Sequence, residues 1–157
     1  MRKKLKLAYV IFFCTTLVWA QENQPLLGET VSCEEMKTRC LFLGSQIEGE
    51  HVIRNNAEYQ TLLQERSPHP DCGTYQLPAI DFSEHTLIGY ISSIAGCKFP
   101  EIEHEIRRIN DHYTVGITIT QHGFCKRGFS VELWCLIPKI DENSIVEFDI
   151  ETIKKSN

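Results

Sequence analysis

The chain is short of long apolar runs. Only Leu7 to Ala20 qualifies, fourteen residues broken by Thr15-Thr16, where a membrane-spanning helix needs about 20. There is no C-x2-C or H-x3-H pair, which removes the usual frame of a zinc site. No Ser stands in a G-x-S-x-G setting, so a hydrolase nucleophile elbow is excluded. Internal repeats, Gly/Ser linkers and long runs of one charge are also missing, which points to one domain instead of an array or a tethered pair. Cations are scarce, 16 Lys and Arg against 21 Asp and Glu, and a net charge of -5 argues against nucleic acid as a partner.

What is present is enough for one folded domain: 157 residues, 42% hydrophobic and 24% charged, with seven Cys. The basic start Met1-Arg2-Lys3-Lys4-Leu5-Lys6, the apolar run behind it and the small residues Val18 and Ala20 form a secretory signal peptide over 1-20, cleaved after Ala20. Cys14 follows Phe12-Phe13 and not small residues, so it is no lipidation site. Cleavage removes Arg2, Lys3, Lys4 and Lys6 and no acids, taking the charge from -5 to -9. It also leaves six cysteines, Cys33, Cys40, Cys72, Cys97, Cys125 and Cys135. An even number in an oxidising compartment, secreted or periplasmic, reads as three disulfides.

Residues 21-31 read as a flexible N-terminus and 32-157 as a single disulfide-stabilised domain. Ser32 and Glu35 match a capping box, and Cys33, Met36, Cys40 and Leu43 share a helical stripe that Gly44 can close. This predicts a short helix. Seven helical residues separate Cα atoms by about 10 Å, beyond the roughly 7 Å that a disulfide spans, so Cys33 and Cys40 should each pair elsewhere. A second helix is predicted from Asn55 as N-cap, Glu58 three residues on, and Tyr59, Leu62 and Leu63 on one face, stopping at Ser67-Pro68. His51 to Arg54 before it reads as a strand, and Ser67 to Pro78 as a loop.

The remainder reads as strands. Leu87 to Ile91 is apolar on both faces, as in a central strand, while Tyr113 to Ile119, Val131 to Ile137 and Val146 to Ile150 alternate with period two. Glu101 to Ile109 fits helix or strand. Asn110-Asp111 is a good hairpin turn ahead of the next strand, which favours the strand and sets Ile102 opposite Ile119 and Ile106 opposite Val115. Extended outward, this register places Cys97 opposite Phe124, and a bulge near Gly96, Pro100 or Gly123 brings Cys125 into line. A Cys97-Cys125 bridge is therefore predicted, leaving Cys72 and Cys135 to bond Cys33 and Cys40 in one of two ways.

No residue earns a catalytic, cofactor-binding or metal-binding role. His51, His69, His85, His104, His112 and His122 are dispersed, and alternation puts His104 with the isoleucines, opposite Glu101, Glu103 and Glu105. The candidate binding loop is Gln121 to Phe129, with Phe124, Lys126, Arg127 and Phe129 around Cys125. Two arrangements are open. The plainer one tucks Phe124 and Phe129 into the core and leaves Lys126-Arg127 as a solvated turn. The other presents Lys or Arg beside a bonded Cys, as rigid serine-protease inhibitor loops do, because rigidity removes an ordering cost of binding.

Val52-Ile53, the helix with Glu58-Tyr59 and Leu62-Leu63, and Leu77-Pro78-Ala79-Ile80-Asp81-Phe82-Ser83 leading into the strand Thr86 to Ile91 carry a resemblance. Over roughly 50-150 the chain resembles the C-terminal domain of the protease complex subunit PrcB and its secreted relatives in Bacteroidetes, Ile80-Asp81-Phe82-Ser83 being the most specific match. The cysteines and the Cys33 to Cys40 segment depart from that pattern. The resemblance implies a non-catalytic, mostly β domain that associates with and stabilises a surface protease, with Ile80 and Phe82 inward and Asp81 in a turn or cap. The combined expectation is an α+β fold: a twisted antiparallel sheet of five or six strands, sandwich or partly closed barrel, with one packed helix and a short disulfide-tied N-terminal helix. Its expected role is binding a protein, with no cofactor and no membrane insertion after signal cleavage. A protease inhibitor and a small secreted hydrolase using clustered acids are the alternatives.

Overall fold

The computed structural model describes residues 28-36, 48-65 and 78-156. The signal peptide, Cys14, Cys40, Cys72, the Leu43-Gly44 helix end, the Ser67-Pro68 helix stop and most of the Ser67 to Pro78 loop lie outside the described residues.

Two four-stranded sheets form the body. The strands are β1 Glu29–Thr30, β2 Glu34–Glu35, β3 Gly49–Ile53, β4 His85–Gly96, β5 Glu101–Ile109, β6 His112–His122, β7 Arg127–Pro138 and β8 Ile145–Lys155, with the helix α1 Asn56–Glu65 between β3 and β4. One sheet has the order β1-β5-β6-β8 and the other β2-β7-β4-β3. The expected five or six strands are thus eight in two sheets, and no closed barrel forms among them.

The β4–β7 ladder is the longest antiparallel pairing, running from His85 opposite Pro138 to Gly96 opposite Arg127. Both of its faces are buried over Thr86 to Ile91. Ile88, Tyr90, Val131, Leu133, Cys135 and Ile137 face the first sheet, where Ile106, Tyr113, Val115, Ile117 and Ile119 meet them. The alternate residues Leu87, Ile91 and Trp134 face α1 through Tyr59 and Leu62. An apolar run without alternation is what a strand covered on both sides requires. Helix α1 begins as its sequence indicates: the Glu58 amide donates to Asn55 Oδ1 at 3.0 Å, and Glu58 accepts from Asn55 Nδ2 at 2.8 Å and the Arg54 amide at 2.6 Å.

In the first sheet the β5–β6 register puts Ile102 opposite Ile119 and Ile106 opposite Val115. Asn110 takes φ 56° in the two-residue turn between them, a left-handed conformation that Asn tolerates. Strand β8 corrects the expectation of an all-antiparallel sheet, because it pairs with β6 in parallel. The chain leaves β7 in the other sheet, and Ile145 enters with its amide on Asp111 O at 3.0 Å, beside the start of β6. From there it can only run in the same direction as β6.

The predicted helix from Ser32 does not form over Ser32 to Met36. Those residues are extended, Glu34 and Glu35 pairing with Leu136 and Cys135, while the Val31 amide bonds Ile106 O at 2.8 Å in the opposite sheet. Residues 28-36 are thus a strap across both sheets at one side of the sandwich, and Cys33 bonded to Cys135 fixes it, Cα to Cα 5.4 Å. A bridge across 102 residues removes about 4-5 kcal/mol of chain entropy from the unfolded state in the loop-closure model. That exceeds the few tenths per residue by which helix propensity could oppose it.

Gly89 lies across the ladder from Trp134, whose ring in turn stacks on His51 with centroids 5.6 Å apart. A methyl group at position 89 would overlap the six-membered part of the buried indole. Gly89→Ala should therefore cost about 2-3 kcal/mol by overpacking, read as a fall of roughly 10 °C in Tm. An unchanged Tm would show that Trp134 does not depend on this contact.

Candidate functional site

The two turns at one end of the sandwich carry the chain between sheets. Cys97 to Pro100 takes it from β4 to β5, and Gly123 to Lys126 takes it back from β6 to β7. Cys97 and Cys125 are bonded across these crossings, Cα to Cα 4.7 Å, as the register predicts. The Cys97 amide bonds His122 O at 2.7 Å, the Gly123 amide bonds Lys155 O at 3.0 Å, and the Cys125 amide approaches Cys97 Sγ at 3.2 Å. Gly123 sits at φ 70°, a backbone conformation in which a side chain would be strained. His122, beneath the turn, is buried with Nε2 3.1 Å from Glu101 Oε1. The tip is therefore held by a covalent bond, two backbone hydrogen bonds and an amide–sulfur contact, with His122 against Glu101 at its base.

Its surface is aromatic and basic. Phe124 is 73% exposed and Phe99 57% exposed, so Phe124 does not tuck into the core as the plainer arrangement required. Phe129 is half-buried and stands edge-on to Phe99, centroids 5.9 Å apart, with the Arg127 guanidinium 5.0 Å above its ring. Lys126 and Arg127 are exposed. All four candidate loop residues, Phe124, Lys126, Arg127 and Phe129, thus share one tip. Sequence reasoning missed its other members. Phe99 and Lys98 come from the opposite turn, and Lys154 and Lys155 arrive from the end of β8, in register with Gln121 and His122. A signal for the first two was present: each bonded Cys has a Lys next to it and a Phe within two residues, in Cys97-Lys98-Phe99 and Phe124-Cys125-Lys126.

The acids gather elsewhere. On the outer face of the β5-β6-β8 sheet, Glu103 and Glu151 flank Thr118, and Glu105 and Asp149 flank Gly116, across a groove of about 600 Å³. No Cys side chain joins that face among the described residues. His104, which borders it, turns its ring to the other side, Nδ1 3.7 Å from Glu35 Oε1. Cys33, His104 and Cys135 lie together, their ligand atoms within 4.8 Å of one another. With the two sulfurs bonded to each other, only the imidazole is free to coordinate a metal there.

The segment that carries the family resemblance has a structural job. Ile80 and Phe82 pack on the helix side of the core, Phe82 lying 5.7 Å from Tyr59 between ring centroids. The Asp81 carboxylate accepts from Ser83 Oγ at 2.6 Å and from the Ser83 amide at 2.9 Å, closing the turn into β4. These two bonds, side chain first, hold the Asp81 carboxyl below its ordinary value of 3.8, with a smaller contribution from His85. A carboxyl more acidic in the folded than in the unfolded chain stabilises the fold above the unfolded value, and this is lost as pH falls through the folded one. Asp81→Ala should thus lower Tm at pH 7, and the gap from the native chain should close in thermal melts taken below pH 3.8. A gap constant from neutral to acidic pH would show that the charge of Asp81 is irrelevant.

No family model, curated protein or solved structure matches the chain.

Proposed function

We propose that the mature chain is a secreted, non-catalytic binding domain of the cell envelope. It attaches through the clamped tip and associates with a partner protein, a surface protease in the family that it resembles. The observation that carries this reading is the tip, where exposed Phe124 and Phe99 stand among cations on a scaffold fixed by Cys97–Cys125. Exposed aromatic side chains on a preorganised frame are the features of a contact surface, since little ordering remains to oppose binding. The two disulfides are consistent with an extracytoplasmic location, and a signal peptide over 1-20 would deliver the chain there, to the outside or the periplasm.

A second reading is favoured by one feature. Lys126 and Arg127 follow a bonded Cys on an exposed turn, as the contact residues of serine-protease inhibitors often do. The two separate cleanly. Replacing Phe124 with p-benzoylphenylalanine and irradiating the native envelope fraction should give a discrete adduct that Lys126→Glu with Arg127→Glu reduces at least tenfold. Trypsin-like proteases should meanwhile keep their activity in the presence of excess domain. Stoichiometric inhibition would move the chain to the inhibitor reading, and an envelope that yields no adduct from position 124 would remove the attachment role of the tip.

A further inference from the structure

The geometry points to an anionic phospholipid surface as what the tip itself touches. This rests on the reading of the tip as the attachment surface and specifies what it attaches to. The described residues hold nine Lys and Arg. Four of them, away from the tip, are tethered internally: Arg54 donates to Ser144 O, Lys139 to Arg54 O, Arg107 to Glu105 and Arg108 to Asn110 O. The other five are Lys98, Lys126, Arg127, Lys154 and Lys155. All are exposed, all lie at the tip, and no side chain among the five makes a hydrogen bond or ion pair among the described residues, the Arg127 guanidinium resting only on the Phe129 ring. The acid placed beside them, Glu101, is engaged by His122.

Such segregation is specific in a chain whose charge is otherwise strongly negative. Five such cations, ringed about Phe99 and Phe124, present a field suited to a negative surface. The aromatic component decides which kind. Phe124 projects from a convex turn, and three grooves among the described residues are lined by other side chains. A rigid partner would need a matching cavity to cover the ring. A bilayer interface needs none: its acyl boundary yields to a projecting ring while its headgroups meet the flanking Lys and Arg. Cys97–Cys125 keeps the ring presented, so insertion requires no ordering of the turn. The acidic face of the β5-β6-β8 sheet, with Glu103, Glu105, Asp149 and Glu151, opposes any side-on approach to the same bilayer, leaving the docked domain upright with its flanks open to a protein.

Cosedimentation of the disulfide-bonded chain with vesicles tests this. Vesicles of phosphatidylcholine containing about 30% phosphatidylglycerol should bind it at about 0.1 M salt and release it at about 0.5 M, whereas pure phosphatidylcholine should not bind. Lys126→Ala and Arg127→Ala should each weaken binding about fivefold, and Phe124→Ser about tenfold or more. All three positions are exposed, and unchanged circular dichroism and disulfide mapping verify that the variants fold. Equal binding to neutral and anionic vesicles, no binding to either, or tip variants that bind like the native chain would overturn the inference. A protein adduct from position 124 in the envelope that persists when vesicles do not bind would leave the binding function standing and the lipid surface excluded.

Discussion

Everything else in the fold depends on one ladder, β4 paired with β7 along its whole length and covered on both faces over Thr86 to Ile91. A strand pair covered on two sides needs two partners. The first sheet supplies one through Val115, Ile117 and Ile119, and α1 with Ile80 and Phe82 supplies the other. Gly89 and Trp134 show how tightly the second side is filled, the indole occupying the space a side chain at 89 would have taken. The tip is a consequence of the same arrangement. Because β4 and β7 share one sheet while β5 and β6 share the other, the chain must cross between sheets twice at that end. Crossings cannot be closed by a ladder, so a disulfide closes them. The aromatic and basic side chains ride on turns that the core does not need for packing.

The legible parts of the fold were those where a local pattern and the tertiary structure ask for the same thing. The doubly apolar run at Leu87 to Ile91 became the buried strand, Asn55 with Glu58 started a helix, and Asn110 allowed the turn that fixed the register of β5 on β6. That register in turn predicted Cys97–Cys125. Where the two conflict, sequence reading failed. Ser32, Glu35 and the stripe behind them are a good local helix signal, yet Ser32 to Met36 are held extended by Cys33–Cys135 and by pairing with β7. Cys33 was set apart from Cys40 on the strength of helical spacing that Ser32 to Met36 do not adopt, although Cys135 was among the partners left open. Period-two alternation at Val146 to Ile150 announces a strand but carries no direction, so the parallel pairing of β8 could not be read.

The candidate site was legible as a loop and not as a surface. Phe124 and Phe129 are apolar, and the default expectation buries apolar rings. Only the topology reveals that one of them has no core to enter. Lys154 and Lys155 are more than twenty residues from the loop and look like an ordinary polar ending. They reach the tip because β8 runs parallel to β6, the one feature of the sheet that alternation could not convey. The missed half of the site and the missed strand direction are thus a single omission.

Charge placement follows from that direction as well. Had β8 run antiparallel to β6, Lys154 and Lys155 would lie at the far end of the sheet, beside the turn at Asn110 and near Arg107 and Arg108, and both ends would be weakly basic. Running parallel, it brings them next to Lys126 and Arg127 while Glu147, Asp149 and Glu151 trail along the outer face opposite Thr114, Gly116 and Thr118. The result is a molecule with a negative flank and a positive tip. A net charge by itself sets only whether a surface is approached; its separation along one axis sets which end arrives first. The parallel strand, which closes the edge of the sheet and packs Val146, Phe148 and Ile150 against the core, is what makes the tip a distinct end.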